Sequence, residues 1–567
     1  MLKTAYTILF LLISVSISYG ITSNYSISAD SVFKHISVLA DDSLEGRQVG
    51  EPGELKAAEY IRDQFQKAGL ESKNLDNYFQ YYDFIKLIDF SSQNSLIVNG
   101  TELKLYDEFH PLKQSASTVF DFSDPVFVDY GIKTEDSSYN DYENLDVSGK
   151  AVIIKRYAPS SDSNPHVDFD KYSGLVDKIN TAIEHDAKAV IFYTPPDHDD
   201  TLIDRGVTNI YPKDIPILFL KRTALEKLNI DLENPKINSL SGQTDLVTVR
   251  DTAQNVLGYL DAGNDTTVII GAHYDHLGYG GPTSLYAGSD KQIHNGADDN
   301  ASGVAALLEL ARFYANAAEK PHYSLLFFAI SGEEAGLLGA NNFAKNMNID
   351  STKVRMMINM DMIGRLKDQE NGLAVLGVGT CEDFKVYFDS VINTDLKIAQ
   401  KESGTGPSDH TIFYNRKIPV LHLFTGAHHD YHKPTDDAEK IDNEGIVKVA
   451  NLVVDFVNYF DEFNKPLEFK KTKDESEGKR SRKYSVSLGV MPDYVAEVKG
   501  LRIDGVMDDR PAANAGILEG DIVIKMGDIE INDIYDYMNA LSKFRKGDTT
   551  TTIIVRDGEE MEFTVIF

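Results

Sequence analysis

The chain of 567 residues contains a single cysteine, Cys381. No disulfide can form within it, and a thiolate metal site is excluded. Positive charge is scarce too. Lys and Arg number 56 against 88 Asp and Glu, a formal net charge of -32. That excludes nucleic acid as a partner, because no basic surplus is left to neutralise phosphates. An acidic surplus favours solubility and attracts cations. Beyond the N-terminus there is no run of 18 apolar residues, so nothing reads as membrane-embedded.

What is present is size and patterning. A chain this long exceeds one ordinary domain and suggests two to four, and 42% hydrophobic residues suffice for large cores. The opening MLKTAYTILFLLISVSISYG pairs Lys3 with a short apolar core and small residues at 18 and 20. It reads as a signal peptide over residues 1–20, which predicts export to a periplasm or the extracellular space. Residues 21–125 begin with helical patterns and continue as irregular strand signals. Residues 126–245 read as a separate small α/β unit, with strand signals in VSGKAVIIKRY and DIPILFL. Residues 246–462 alternate strand and helix on a larger scale. Residues 463–482 are charged and read as a linker. Residues 483–567 are rich in short strands and glycine turns.

Near-continuous apolar strands such as TTVIIGAHYD and VRMMINMD imply an α/β domain with a mainly parallel or mixed central sheet covered on both faces. Such sheets place function at the carboxyl ends of their strands. Acids and histidines fall at those ends: HYDHLG (273–278), GADDNASG (296–303), SGEEAG (331–336), NMDMIG (359–364) and YHKPTDD (431–437). Together they supply His273, Asp298, Glu334, Asp361 and His432. Two imidazoles and three carboxylates suit a borderline metal such as zinc. If one carboxylate bridges, two metals share the five ligands. Each piece also has a structural alternative: a helix cap for Asp298 and Asp299, first-turn acids for Glu333 and Glu334, a loop histidine for His432.

These motifs, with SDHTIFYNRKIP (408–419), resemble the M28 family of zinc aminopeptidases. The resemblance implies a three-layer α/β/α peptidase domain, two zinc ions per chain, and hydrolysis of N-terminal peptide bonds of substrates with a free N-terminus. Carried over, His273 and Glu334 share one zinc, Asp361 and His432 share the other, and Asp298 bridges. Asp275 hydrogen-bonds His273. Glu333 is the general base for a di-zinc-activated water, and Tyr431 is an oxyanion donor. A cis bond joins Asp298 to Asp299. His276 and His294 are read as bystanders. Residues 126–245 resemble a protease-associated (PA) domain, read as a lid or wall over the cleft. Residues 483–567 resemble a PDZ domain, whose SLGV loop (487–490) would receive a peptide or protein C-terminus.

Three rivals remain at this stage. A metallo-carboxypeptidase or dipeptidase of the same fold needs a cationic clamp for the substrate carboxylate, for which Arg365 is placed. A cyclising acyltransferase of the same fold tends to depart from the second-metal ligands. A non-catalytic peptide-binding protein would use the PDZ-like unit alone.

Overall fold

The computed structural model describes residues 21–567 apart from 74, 76, 135–136, 160–168, 197, 199, 201–211, 282, 287, 289, 347–350, 369–371, 464, 473–485, 493–497, 507–509, 519, 532–533, 542, 545–546 and 557. The proposed signal peptide lies outside the described residues. Among the described residues no helix is long and apolar enough to cross a membrane.

The main sheet has eight strands: β1 (Phe79–Phe90), β2 (Leu246–Leu260), β3 (Thr267–His273), β4 (Ser324–Ile330), β5 (Val354–Met360), β6 (Leu373–Leu376), β7 (Ile398–Lys401) and β8 (Val420–Phe424). Their spatial order is β1-β2-β4-β3-β5-β8-β6-β7. The central strands β4, β3, β5 and β8 run parallel. Every residue of β3, β4 and β5 is buried, as both-face coverage requires. One face is covered by α1 (Ala29–Leu39), α2 (Pro52–Ala68), α3 (Gly303–Ala315) and α5 (Asn443–Asp461); α4 (Leu338–Lys345) packs on the other.

The sequence sets the limits of these helices. Pro52 opens α2 at a position where a missing N–H costs nothing. Gly69 closes it in the left-handed region at φ 82°. There its N–H bonds Gln66 O at 3.0 Å, and the Leu70 N–H bonds Phe65 O at 3.1 Å. Ala57, Ala58, Ile61 and Phe65 form the buried face.

Glu54 on the same helix is only 1% exposed. Its carboxylate accepts from Ser331 Oγ, from the Gly50 N–H at 2.7 Å and from Tyr274 Oη at 3.2 Å. Burial raises its pKa to about 8, against the lowering effect of the Ser331 and Gly50 hydrogen bonds. The folded chain therefore keeps a proton that the unfolded chain releases. The contribution of Glu54 to stability is greatest below the ordinary glutamate pKa of 4.5, falls as pH rises from there to about 8, and is level above. Glu54→Gln is expected to flatten that decline, read from denaturation midpoints at pH 5 and pH 8.

The insertion begins earlier than the sequence indicates. Strands at 95–98, 101–103 and 118–123 do not join the main sheet. They pair with one another and with Ser239–Thr244 in a four-stranded sheet. A five-stranded sheet follows, from Phe109–Pro111, Ile217–Leu220, Ala189–Tyr193, Ala151–Lys155 and Val126–Phe127. The whole unit, residues 91–245, leaves the main sheet at Phe90 and returns at Leu246, and those two residues are paired. The first segment of the main-sheet domain therefore ends at residue 90, where the sequence reading set the boundary at 125. The charged stretch after residue 462 is also partly ordered onto the sheet domain. Leu467 and Phe469 pack against its cores, and the Thr472 N–H bonds Tyr414 Oη at 3.0 Å.

The C-terminal unit is a six-stranded sheet with helices Pro511–Ala515 and Ile534–Leu541. Gly489 turns at φ 77° ahead of the edge strand Val490–Pro492, a conformation glycine adopts without steric cost. Leu488 is wholly buried in this unit's core.

Candidate metal centre and its surroundings

The parallel strands bring four polar turns to one edge of the sheet. His273 is the last residue of β3. Asp361 follows β5, and Glu333 and Glu334 lie just beyond β4. Between β3 and α3 an irregular helical turn, Ala297–Ser302, departs from helical geometry at Asp299 and Asn300.

Asp299, not Asp298, stands at the centre. Its Oδ1 lies 3.4 Å from His273 Nε2, and its Oδ2 lies 3.2 Å from His432 Nε2. His273 Nε2 is also 3.2 Å from Asp361 Oδ1, and His432 Nε2 is 3.4 Å from Glu334 Oε1. The carboxylate thus joins two groups, His273 with Asp361 and His432 with Glu334. That grouping reverses the one carried over from the family resemblance. The reason is reach. Asp361 directly follows β5, beside β3, whereas Glu334 stands four residues past the end of β4 and meets the loop carrying His432.

Asp298 points away. The Gly364 N–H donates to its Oδ1 at 2.6 Å, and its Oδ2 lies 3.1 Å from His428 Nε2. A side chain at Gly364 would collide with that carboxylate, since a Cβ there comes within 2.7 Å of Oδ1. Asp436 fixes the doublet by accepting both the Asp298 N–H at 2.8 Å and the Asp299 N–H at 3.1 Å on one oxygen. The cis peptide bond lies between Asp299 and Asn300, one residue later than the resemblance implied.

The donor sets fit a pair of cations. His273, Asp299 and Asp361 present ligand atoms within 4.8 Å of one another, and so do His276, Asp299 and Glu334. Charge supports the fit. Burial lowers the His273 pKa, but Asp361 and the hydrogen bonds to Asp299 and Asp361 outweigh it and raise the value well above the ordinary one. Burial likewise lowers that of His432, and Glu334 and Asp299 raise it well above. Buried carboxylates that hold protons on neighbouring imidazoles hold cations in the same places.

Asp275 serves differently from expectation. Its carboxylate accepts the Glu333 N–H at 3.0 Å and the Glu334 N–H at 3.3 Å. His273 Nδ1 faces the Asp275 main-chain carbonyl at 3.3 Å, while the nearest carboxylate oxygen is 3.8 Å away. Asp275 therefore aims the Glu333–Glu334 turn with its side chain and the His273 ring with its backbone. Asp361 Oδ2 accepts from Ser408 Oγ at 2.7 Å, and Ser408 in turn accepts from Asn359 Nδ2 at 2.9 Å. His432 Nδ1 lies 3.0 Å from Thr283 O. Tyr431 stacks on the His432 ring at 3.9 Å.

Sequence reasoning set His276 aside, yet its Nδ1 lies 3.0 Å from Glu334 Oε1 and 3.7 Å from Asp299 Oδ2. The HYDHLG motif carried that signal. His294 does stay apart, 2.7 Å from Ser284 Oγ and 3.1 Å from Gln292 O. Asp436 was also overlooked, although it sits in the quoted YHKPTDD. Arg365 is committed to buried acids, with Nη2 3.1 Å from Asp436 and 3.2 Å from Asp430. It faces the back of the Asp298 turn rather than a substrate.

Comparison with known proteins adds three family matches: peptidase family M28 over residues 255–457, a PA domain over 123–228 and a PDZ domain over 469–567. A probable leucine aminopeptidase of Trichophyton verrucosum is 28% identical over 214 residues, 36% of this chain and 55% of that protein. A probable lipoprotein aminopeptidase of Mycobacterium tuberculosis is 24% identical over 455 residues, 74% of this chain and 78% of that protein. Among solved structures, an aminopeptidase from Aneurinibacillus sp. strain AM-1 is 22% identical with a TM-score of 0.43, covering 78% of this chain and 95% of that one. The chain spans about half the length of the first of these curated relatives.

Proposed function

We propose that the M28 peptidase domain carried by this chain is a metal-dependent aminopeptidase, releasing the N-terminal residue of peptides with a free amine. The observation that carries the reading is one carboxylate, Asp299, set between two histidine–carboxylate pairs beside Glu333. His273, Asp299 and Asp361 would hold one metal ion, and His432, Asp299 and Glu334 the other, with zinc the metal suited to these ligands. Bound metal supplies the charge that polarises the scissile carbonyl and acidifies a water.

The remaining work falls to side chains. Glu333 takes a proton from the attacking water and passes it to the departing amine. Asp275 holds the Glu333 amide so that this carboxylate stays aimed into the cleft. The substrate's free α-amine would lie at the Asp299–Glu334 end of the cluster. Tyr431, fixed against His432, is placed to donate to the developing oxyanion. The engagement of Arg365 by Asp430 and Asp436 removes the cation that a carboxypeptidase reading required there. Export, and capture of a C-terminus by the PDZ domain, are part of the same proposal, supported by the N-terminal sequence and by the Gly489 turn.

A free-amine peptide library, its N-acetylated counterpart and its C-amidated counterpart test the reading. Release of N-terminal residues is expected from the first and third sets, and chelator should abolish it. Release of C-terminal residues, or cleavage of the acetylated set, would sink it.

A further inference from the structure

The cleft continues well past the acid–histidine cluster. A cavity of about 670 Å³ runs from Asp275, His276 and Glu334 to Arg250 and Lys345. Its long wall is the β1–β2 ribbon, whose register fixes how far each residue stands above the sheet. Phe79 pairs with Val256, and Val256 with Ala329. Three residues along, Tyr82 pairs with Ala253 at the level of Gly332, and the Tyr82 hydroxyl lies 2.8 Å from Ser331 Oγ. Three residues further, Ile85 pairs with Arg250. At about 3.3 Å per residue, Arg250 stands about 10 Å above the turn that carries Glu333. The ladder then slips at Lys86, a bulge of the kind that redirects side chains beside binding sites.

In a chain of net charge -32, the described residues lining this outer part of the cleft include Lys86, Arg250, Lys345 and Asp83. Lys86 is held by Glu51 at 3.0 Å and Asp251 at 2.8 Å. Arg250 is exposed and makes no ion pair among the described residues. Lys345 ends α4, which forms another wall of the cavity.

We propose that Arg250 is a subsite for a substrate carboxylate three or four residues from the amino end. This rests on the aminopeptidase reading, which puts the substrate amine at the Asp299–Glu334 cluster. An extended peptide covers at most about 3.3–3.6 Å per residue, so its third or fourth residue reaches Arg250. A guanidinium takes a carboxylate through two parallel hydrogen bonds. The carboxylate is either the C-terminus of a tripeptide or tetrapeptide, or an acidic side chain at that position in a longer peptide. A carboxypeptidase clamp would instead stand within one residue of the scissile bond.

The test uses the full-length, zinc-loaded protein and three peptides: Leu-Gly-Gly, its C-terminal amide, and Leu-Gly-Asp amide. Leucine release gives kcat/KM, and calorimetry on Glu333→Gln gives affinity without turnover. The acid is expected to exceed its amide about tenfold in both. Arg250→Ala should bring the acid-to-amide ratio near one, and Arg250→Glu should invert it. Leu-Gly-Asp amide matching the acid shows that the subsite takes a side-chain carboxylate as well as a chain end; matching the amide assigns it to chain ends alone. Equal binding of acid and amide, or a ratio intact in the Arg250 variants, overturns the proposal. Tighter binding of the acid with no leucine released keeps the subsite and overturns the aminopeptidase reading. Leucine released equally from acid and amide does the reverse.

Discussion

Asp299→Asn is expected to yield a folded protein that retains less than one metal ion per chain and has no measurable turnover. The carboxylate faces His273 through one oxygen and His432 through the other. An amide offers one oxygen and one N–H, so it cannot serve both groups, and neither pair alone presents enough ligands for tight binding. Asp298→Asn, one residue away, should behave quite differently. It disturbs the contacts with the Gly364 N–H and His428. Two metal ions should remain bound, with stability lower by about 1–3 kcal/mol. Metal analysis after dialysis, beside a denaturation curve, separates the two. The opposite ranking would return the bridging position to Asp298.

Glu333→Gln is expected to lower kcat by about 10²–10⁴-fold with metal content unchanged. Burial raises the Glu333 pKa well above the ordinary range, with Glu334, Asp409 and Asp361 adding to it and His273 opposing. Glutamine keeps the shape and the hydrogen bond from the main-chain N–H to Asp275 but cannot accept the proton. Full turnover in this variant would remove Glu333 from the chemistry. Equal loss of metal would instead make it a ligand.

The sheet and the edge that carries the site were legible because buried parallel strands announce themselves. TTVIIGAH and VRMMINM are mostly apolar, and the acids that follow them have no structural reason to sit there without partners. The choice between Asp298 and Asp299 was not legible. Both follow Gly296-Ala297, both are buried, and both would cap a helix. What decides is the path of the backbone, set by Asp436 and Asn300 reaching in from the side chains. The partition of ligands was hidden for a related reason. β3 lies between β4 and β5, so strand order admits either pairing, and only the length of each turn past its strand settles it. The start of the insertion was missed because strands at 95–123 carry no mark of the sheet they join.

Phe90 and Leu246, the residues flanking the insertion, are neighbours across one rung of a ladder. For the folding of the rest of the chain, residues 91–245 are therefore a loop with closed ends. Closing a loop on the order of 150 residues rather than one of a few costs only about 3 kcal/mol more. The insertion meets its own conformational entropy from its own cores, centred on Ile153, Ile191 and Leu218 on one side and Val152, Phe192 and Ile217 on the other. The core of the main-sheet domain thus bears a small and nearly length-independent cost for its passenger. That leaves the size and shape of the passenger free to vary without loosening the strands that hold His273 and Asp361.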